Sequence, residues 1–371
     1  MDKHLHIVCF DVPYPPDYGG VIDVFNRIRA LHQQQVKIHL HCFEYGRGQQ
    51  EELNKYCEEV NYYKRKAVGK IASGLPYIVR SRSNEKLLLN LLKDNYPVLM
   101  EGVHCTYFLY SGELMNRKVI VRPHNVEYLY YRELAKSEDT FYKKTYFILE
   151  SRLLKKYEKK IARQTMLLCT TKQDKLTCEK EFNAEHIEYM PAFIPYQAVN
   201  SKEGKGNFCL YHGNLSVSEN EKAAIWLAGI FLHLDIPLII AGKQPSEKLK
   251  RSVAGNSNIS VLIDPPDEIM NDLVSNAHIN ILPSFNVTGI KIKLLNALFN
   301  GRFCLVNTNS VAGTDLGSLC SIADDPGEMG DEINRLIQMP FTSAEIAERK
   351  KVLEKEYNNE LNAKQLMKWI Y

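Results

Sequence analysis

HINILPSFNVTGIKIKLLNALFNGRFCLVN, His278 to Asn307, carries one supersecondary unit on its own. Its ends, 278–284 and 302–307, are short apolar runs bounded by turn residues, which is how strands buried on both faces read. The middle, 290–300, has another period. At 100° per residue Leu294, Leu295 and Leu298 share one stripe, while Lys293, Asn296 and Asn300 share a polar one, so the segment predicts an amphipathic helix. Strand, glycine turn, helix and strand form a crossover unit, and strands joined in this way run parallel. The turn is where chemistry is expected. Gly289 lets backbone approach a ligand closely, and the unpaired N–H groups of a first helical turn attract anions. Lys293 can add a point charge, and Asn296, one turn further in, can bond a neutral hydroxyl. A surface helix with a Lys/Asn face would show the same residues.

The same alternation extends over the chain. Strand candidates lie at 4–10, 36–43, 96–102, 118–124, 165–171 and 186–192, with helices at 21–34, 84–94 and 141–164. PAFIPYQAVNSKEGKGN, 191–207, is a linker by its prolines and polar tail. Alternation then restarts, with strands at 207–213, 237–242, 259–264, 278–284 and 302–307 and helices at 219–233, 266–276 and 290–300; residues 343–371 are helical and charged. The expected fold class is α/β, with two doubly wound domains, 1–195 and 205–340, facing across a cleft at the C-terminal ends of their strands. A length of 371 residues suits two such domains.

Composition narrows the function. Nine cysteines include no CxxC pair and no zinc spacing, and scattered thiols suit a reducing, cytoplasmic setting. The opening run MDKHLHIVCF reads as a strand rather than a secretory leader. The longest apolar window, 223–242, contains His233, Asp235 and Pro237, so a buried helix and strand explain it better than a membrane span. Residues 1–200 carry 30 Lys/Arg against 24 Asp/Glu, and residues 201–371 carry 17 against 20. Much of the excess lies in Lys143 to Arg163, with eight basic and two acidic residues. That helix is a solvated face or a peripheral contact with an anionic inner membrane. No nucleic-acid motif is present, so nucleic acid is not an expected partner.

Further candidates follow strands. Gly19 and Gly20, in DVPYPPDYGG, open a helix where backbone can cradle a diphosphate or sugar, although a plain strand-to-helix loop reads alike. In VIVRPHNVE, His124, Asn125 and Glu127 come at a strand end on the crevice side, where His124 is a functional candidate, and Glu101 and His104 in MEGVHC hold the same kind of position. Asn125, Glu127, Glu101 and His104 are acceptor-side candidates, with structural packing the better reading of His104. Gly213 and Asn214, in YHGNLSVSEN, face the donor from the second domain. No hydrolytic triad or metal-ligand spacing stands out, so no metal is expected.

Taken in order, PxxDxGG near residue 16, RPHNVE, YHGNLSVSEN, LIIAGKQPS and the 277–308 segment resemble the retaining GT-B glycosyltransferases, the large bacterial group that includes sucrose synthases and mannosyltransferases. The resemblance covers nearly the whole chain. It implies two Rossmann-like domains, a terminal helix within 343–371 crossing back to the first, a nucleotide-sugar donor held without metal or cofactor, and a sugar, glycan or lipid-linked acceptor. It makes Lys293 a diphosphate contact, with Ser284, Thr288, Gly289, Ile290, Lys291 and Asn296 around the donor, and puts His124 near the donor sugar. The family's two glutamates fall on Thr288 and Asn296, so both carboxylates are missing. Replacing a charge-assisted bond to ribose by a neutral one costs about 1 kcal/mol.

The function expected is therefore transfer of one sugar from a UDP- or GDP-sugar in cell-surface polysaccharide synthesis. The alternative is a weak or inactive relative that binds nucleotide sugar or a partner subunit. A sugar-nucleotide epimerase of the same shape would need acids placed for proton transfer in the cleft, and none can be assigned.

Overall fold

The computed structural model describes residues 2–67 and 74–371. Strands are numbered along the chain: β1 Lys3–Cys9, β2 Val36–Glu44, β3 Glu59–Lys64, β4 Val98–Glu101, β5 Val119–Arg122, β6 Met166–Cys169 and β7 Ile187–Tyr189 build the first sheet. β8 Cys209–His212, β9 Leu238–Gly242, β10 Ile259–Ile263, β11 Ile279–Ile281, β12 Phe303–Val306 and β13 Ser321–Ile322 build the second. The orders are β3-β2-β1-β4-β5-β6-β7 and β10-β9-β8-β11-β12-β13, with every pairing parallel. Order reverses between β1 and β4 and between β8 and β11, and crevices open at such switch points.

The central strands show why alternation was readable. β4, β5, β8, β11 and β12 are buried at every position, because helices cover both sheet faces. The 278–307 unit folds as read, with its helix at Ile292–Asn300 and Leu294, Leu295 and Leu298 at 0% exposure. Strand β3 was not expected. EVNYYK lies at the sheet edge, where only Tyr63 is fully buried, so it lacks the apolar run of a central strand.

The two lobes are tied covalently and by packing. Ala192, Phe193 and Ile194 of the connecting segment are buried at 0% exposure. The last helix, Asn359–Ile370, places Ala363, Leu366 and Ile370 in the core of the first lobe, against the helix Gly19–Gln33. Seven of the nine cysteines are buried and all are free thiols. Among the described residues no helix is long and apolar enough to cross a membrane, and no group of three His, Cys, Asp or Glu side chains is placed to hold a metal.

Candidate active site

The second lobe presents a helix head whose first amides are unpaired. The amides of Ile290, Lys291, Ile292 and Lys293 donate to no acceptor among the described residues, while Leu294 N–H already bonds Lys291 C=O. Four consecutive free amides at a helix start carry the positive end of its dipole. Lys293 stands beside them, with Nζ 3.1 Å from Asn220 Oδ1 and 4.9 Å from the centre of the Tyr211 ring. Burial lowers its pKa to about 8, against the opposing pull of the Glu219 carboxylate. His212, at the end of β8, is pushed down to about 3 by burial and by Lys293, and its Nε2 has no partner.

Lys291 has another task. Its Nζ bonds Thr288 C=O at 2.7 Å and Gly289 C=O at 3.1 Å, so it braces the turn rather than reaching forward as a free phosphate contact. Asn296 also departs from expectation, because its carbonyl oxygen accepts from Asn300 Nδ2 at 2.9 Å. Ser284 is buried and donates to Glu219 Oε1 at 2.8 Å, which aims Glu219 at the head of the site. Asn214 is spent locally: its Oδ1 accepts from Ser216 N and Oγ at 3.1 and 2.7 Å, the geometry of a self-closed turn. Gly213 packs against Asn220, which also bonds Asn214 C=O at 3.0 Å. Asn220 and Glu219, not Asn214, thus reach toward Lys293.

The first lobe contributes a buried ring of charge. Asp23 Oδ1 accepts from Arg27 Nη1 at 3.1 Å and Phe193 N–H at 2.7 Å, and Oδ2 accepts from Arg122 Nε at 3.0 Å. Burial alone would raise the Asp23 pKa, but Arg122 and Arg27 outweigh it and hold the acid ionised. Glu101 bonds Arg27 Nη2 and His124 Nε2, the latter at 3.1 Å, and has no exposed surface. Glu101 therefore orients His124 and is not an acceptor contact. The His124 Nδ1 edge lies 3.7 Å from Asp23 Oδ2, so carboxylates face both ring nitrogens. His104 is also withdrawn; its ring packs on Phe10 at 5.3 Å and its Nδ1 is buried without a partner. Glu127, pushed up to about 7 by burial, stays beside Asn125, whose Nδ2 lies 3.4 Å from its Oε1.

The two halves meet here. Gly19 comes so close to Ile292 that an added Cβ would lie 3.3 Å from its Cγ1, while Gly20 packs on Phe10. Gly289 has φ +71°, and a Cβ there would fall 2.1 Å from Asn125 Oδ1 and 2.8 Å from His124 C=O. Only glycine suits both the backbone and the space. Thr288 Oγ1 accepts from Val126 N–H at 2.8 Å, so the position that lacks a carboxylate is fastened to the His124 loop. His124, Asn125, Thr288, Gly289 and Lys293 are thus brought to one crevice, along with Asp174, Glu219 and Asn220, which sequence reasoning missed.

No family model matches the chain. It is 29% identical over 346 residues, 86% of its length and 87% of the relative's, to a Klebsiella pneumoniae protein named "Uncharacterized 44.6 kDa protein in cps region". Among solved structures it resembles S. aureus TarM G117R in complex with fondaparinux, alpha-GlcNAc-glycerol and UDP (TM-score 0.67, 10% identity, 100% of both chains). It likewise resembles Anabaena HepE in complex with UDP and glucose (TM-score 0.66, 10% identity, 99% of both chains). A glycosyltransferase of Rickettsia africae superposes with TM-score 0.65 at 11% identity, over 100% of this chain and 98% of that one. Sequences this distant share a fold and no more, and that fold is GT-B: two Rossmann-like domains with parallel sheets facing across a cleft.

Proposed function

We propose that the chain is a glycosyltransferase that moves one sugar from a UDP- or GDP-sugar to a glycan or lipid-linked acceptor in cell-surface polysaccharide synthesis. The observation that carries this reading is the set of four free amides beside Lys293 at the crevice. A diphosphate leaving from a sugar develops negative charge, and preoriented N–H dipoles with a buried cation stabilise it without reorganisation. UDP in the TarM and HepE complexes and the cps location of the 29% identical relative agree with this donor and pathway. His124 positions the donor sugar, oriented by Glu101 and Asp23. In this reading the departing charge is met by protein groups alone, with no metal or cofactor, and the anomeric configuration is retained. The setting is cytoplasmic.

Screening UDP- and GDP-sugars by thermal shift and by slow hydrolysis tests it. One donor should stabilise the protein and be turned over, and Lys293→Ala should weaken that binding about 10- to 100-fold, the worth of a buried charge-assisted contact. No stabilisation by any donor would sink the reading. Binding without turnover under any acceptor would favour the alternative of a weak or inactive relative, which the Asn300 bond on Asn296 supports.

The acceptor reading extends to a membrane. On the helix Phe141–Ala162, Phe141, Tyr142, Ile148 and Leu149 are exposed beside Lys143, Lys144 and Arg152. Apolar side chains next to lysines suit the surface of an anionic inner membrane. Flotation with phosphatidylglycerol vesicles at low salt should carry the protein up, and Lys143→Glu with Lys144→Glu should leave it behind. If the unaltered protein stays at the bottom, membrane contact is excluded.

A further inference from the structure

The crevice holds a carboxylate that the donor site does not need for charge. Asp174 belongs to the first lobe, at the head of Lys172–Thr177, with its N–H bonded to Thr171 Oγ1 at 2.9 Å. Its side chain nonetheless crosses to the second lobe. Thr288 Oγ1 donates to Oδ1 at 2.7 Å, and Gly289 N–H donates to Oδ2 at 3.0 Å. Asp174 and Thr288 are 3% and 1% exposed, so water does not compete for these bonds. The other side of the same turn is gripped by Lys291, through both carbonyls. A second contact runs alongside: Lys172 N–H bonds Gly313 C=O at 2.9 Å, and Lys172 Nζ lies 2.5 Å from Asp315 Oδ2. Gly313, at φ +70°, leaves room for this approach, since a Cβ there would lie 2.2 Å from that of Gln173.

We propose that Asp174 is a positioning residue: its carboxylate, supplied by the first lobe, shapes the Thr288–Gly289 turn, so the donor loop is complete only when the lobes are closed. The inference rests on the donor reading of that loop. Its physical basis is that the turn's amide and hydroxyl sit in the second lobe while their acceptor sits in the first. Opening the cleft by a few ångströms would break both Asp174 bonds and leave the turn without its acceptor. Closure and loop geometry are thereby one event. The next four amides, from Ile290 to Lys293, stay without an acceptor among the described residues.

The test compares Asp174→Ala, Asp174→Asn and Thr288→Val with the unaltered chain by hydrogen exchange of the free protein and by steady-state kinetics. In Asp174→Ala and Thr288→Val, protection should be lost at 286–289, with the strands of both sheets unchanged. The donor KM should rise on the order of tenfold, as for loss of a charged hydrogen bond, while the acceptor KM stays fixed. Asp174→Asn keeps one acceptor oxygen for Gly289 and should recover part of both losses. A merely structural role would lower the active fraction and leave KM alone. Unchanged protection at 286–289 in both disruptive variants overturns the proposal. So does tighter donor binding, which would make Asp174 a competitor on the Gly289 amide. If protection is lost while no nucleotide sugar binds even the unaltered protein, the clasp stands and the transferase reading fails.

Discussion

The two lobes share a topology but handle buried polarity in different ways. Under its crevice the first lobe buries full charges in pairs: Asp23 and Glu101 against Arg27 and Arg122, with Glu158 capping the helix Glu127–Ser137 through the N–H groups of Glu127 and Tyr128. The second lobe builds the loops of its crevice mostly from neutral groups, with Asn307 bonded to Ser284 N–H and C=O, Ser310 bonded to Leu282 C=O, and Asn286 bonded to Thr288 N–H, while Lys291 braces the Thr288–Gly289 turn. The consequence is electrostatic. Charges cancelled inside the first lobe present little field to the cleft, whereas neutral scaffolding in the second leaves Lys293 and the helix dipole as the field a ligand meets.

This contrast can be broken most easily at Asp23. Removing it leaves Arg122 buried without its paired carboxylate, leaves Arg27 with Glu101 alone, and releases Phe193 N–H of the connecting segment. Asp23→Ala should cost about 3–5 kcal/mol of stability, the penalty for an uncompensated buried ion, read as a fall in the denaturant midpoint. A change below 1 kcal/mol would mean the ring of charge is not the structural element described. By contrast Ser284→Ala in the second lobe loses the bond to Glu219 and the acceptor of Asn286 N–H, and should cost about 1–3 kcal/mol. The ratio of the two costs measures the difference between the lobes.

The contrast also explains what could be read in advance. Parallel strands buried on both faces are continuous apolar runs, so both sheets were legible, and the glycine turn before Ile292 marked the start of a helix with free amides. Groups whose meaning lies in a distant partner were not. Asp23 and Arg122 are 99 positions apart, Asp174 and Thr288 are 114 apart, and neither pair forms a local pattern. Glu101 looked like a strand-end ligand because position alone does not show that Arg27 covers it. Lys291 and Lys293 looked equivalent in sequence, yet one turns back to the Thr288 and Gly289 carbonyls while the other meets Asn220. Asn214 carried the right residue type at the right strand end, but Ser216, two positions on, claims its oxygen.

The last expected effect is the most specific to the second lobe, because under the proposed function Lys293 is the lysine that faces the donor. Burial sets the Lys293 pKa at about 8, below the usual 10.5, so the folded protein gives up this proton before the unfolded chain does. Between those values the unfolded chain binds the extra proton, and the stability of the free protein therefore gains from this group as pH rises through the window. Donor binding must move the other way. A diphosphate favours the charged amine, so affinity is full below about pH 8 and falls above it, at most tenfold per pH unit. Isothermal titration with the donor nucleotide from pH 7 to 10 should show this loss, with proton uptake on binding near the midpoint. Lys293→Arg keeps its charge throughout, so the fall in affinity and the gain in stability should both flatten together. If the unaltered protein's affinity is flat to pH 10, Lys293 does not meet the diphosphate, and the free amides alone carry the site.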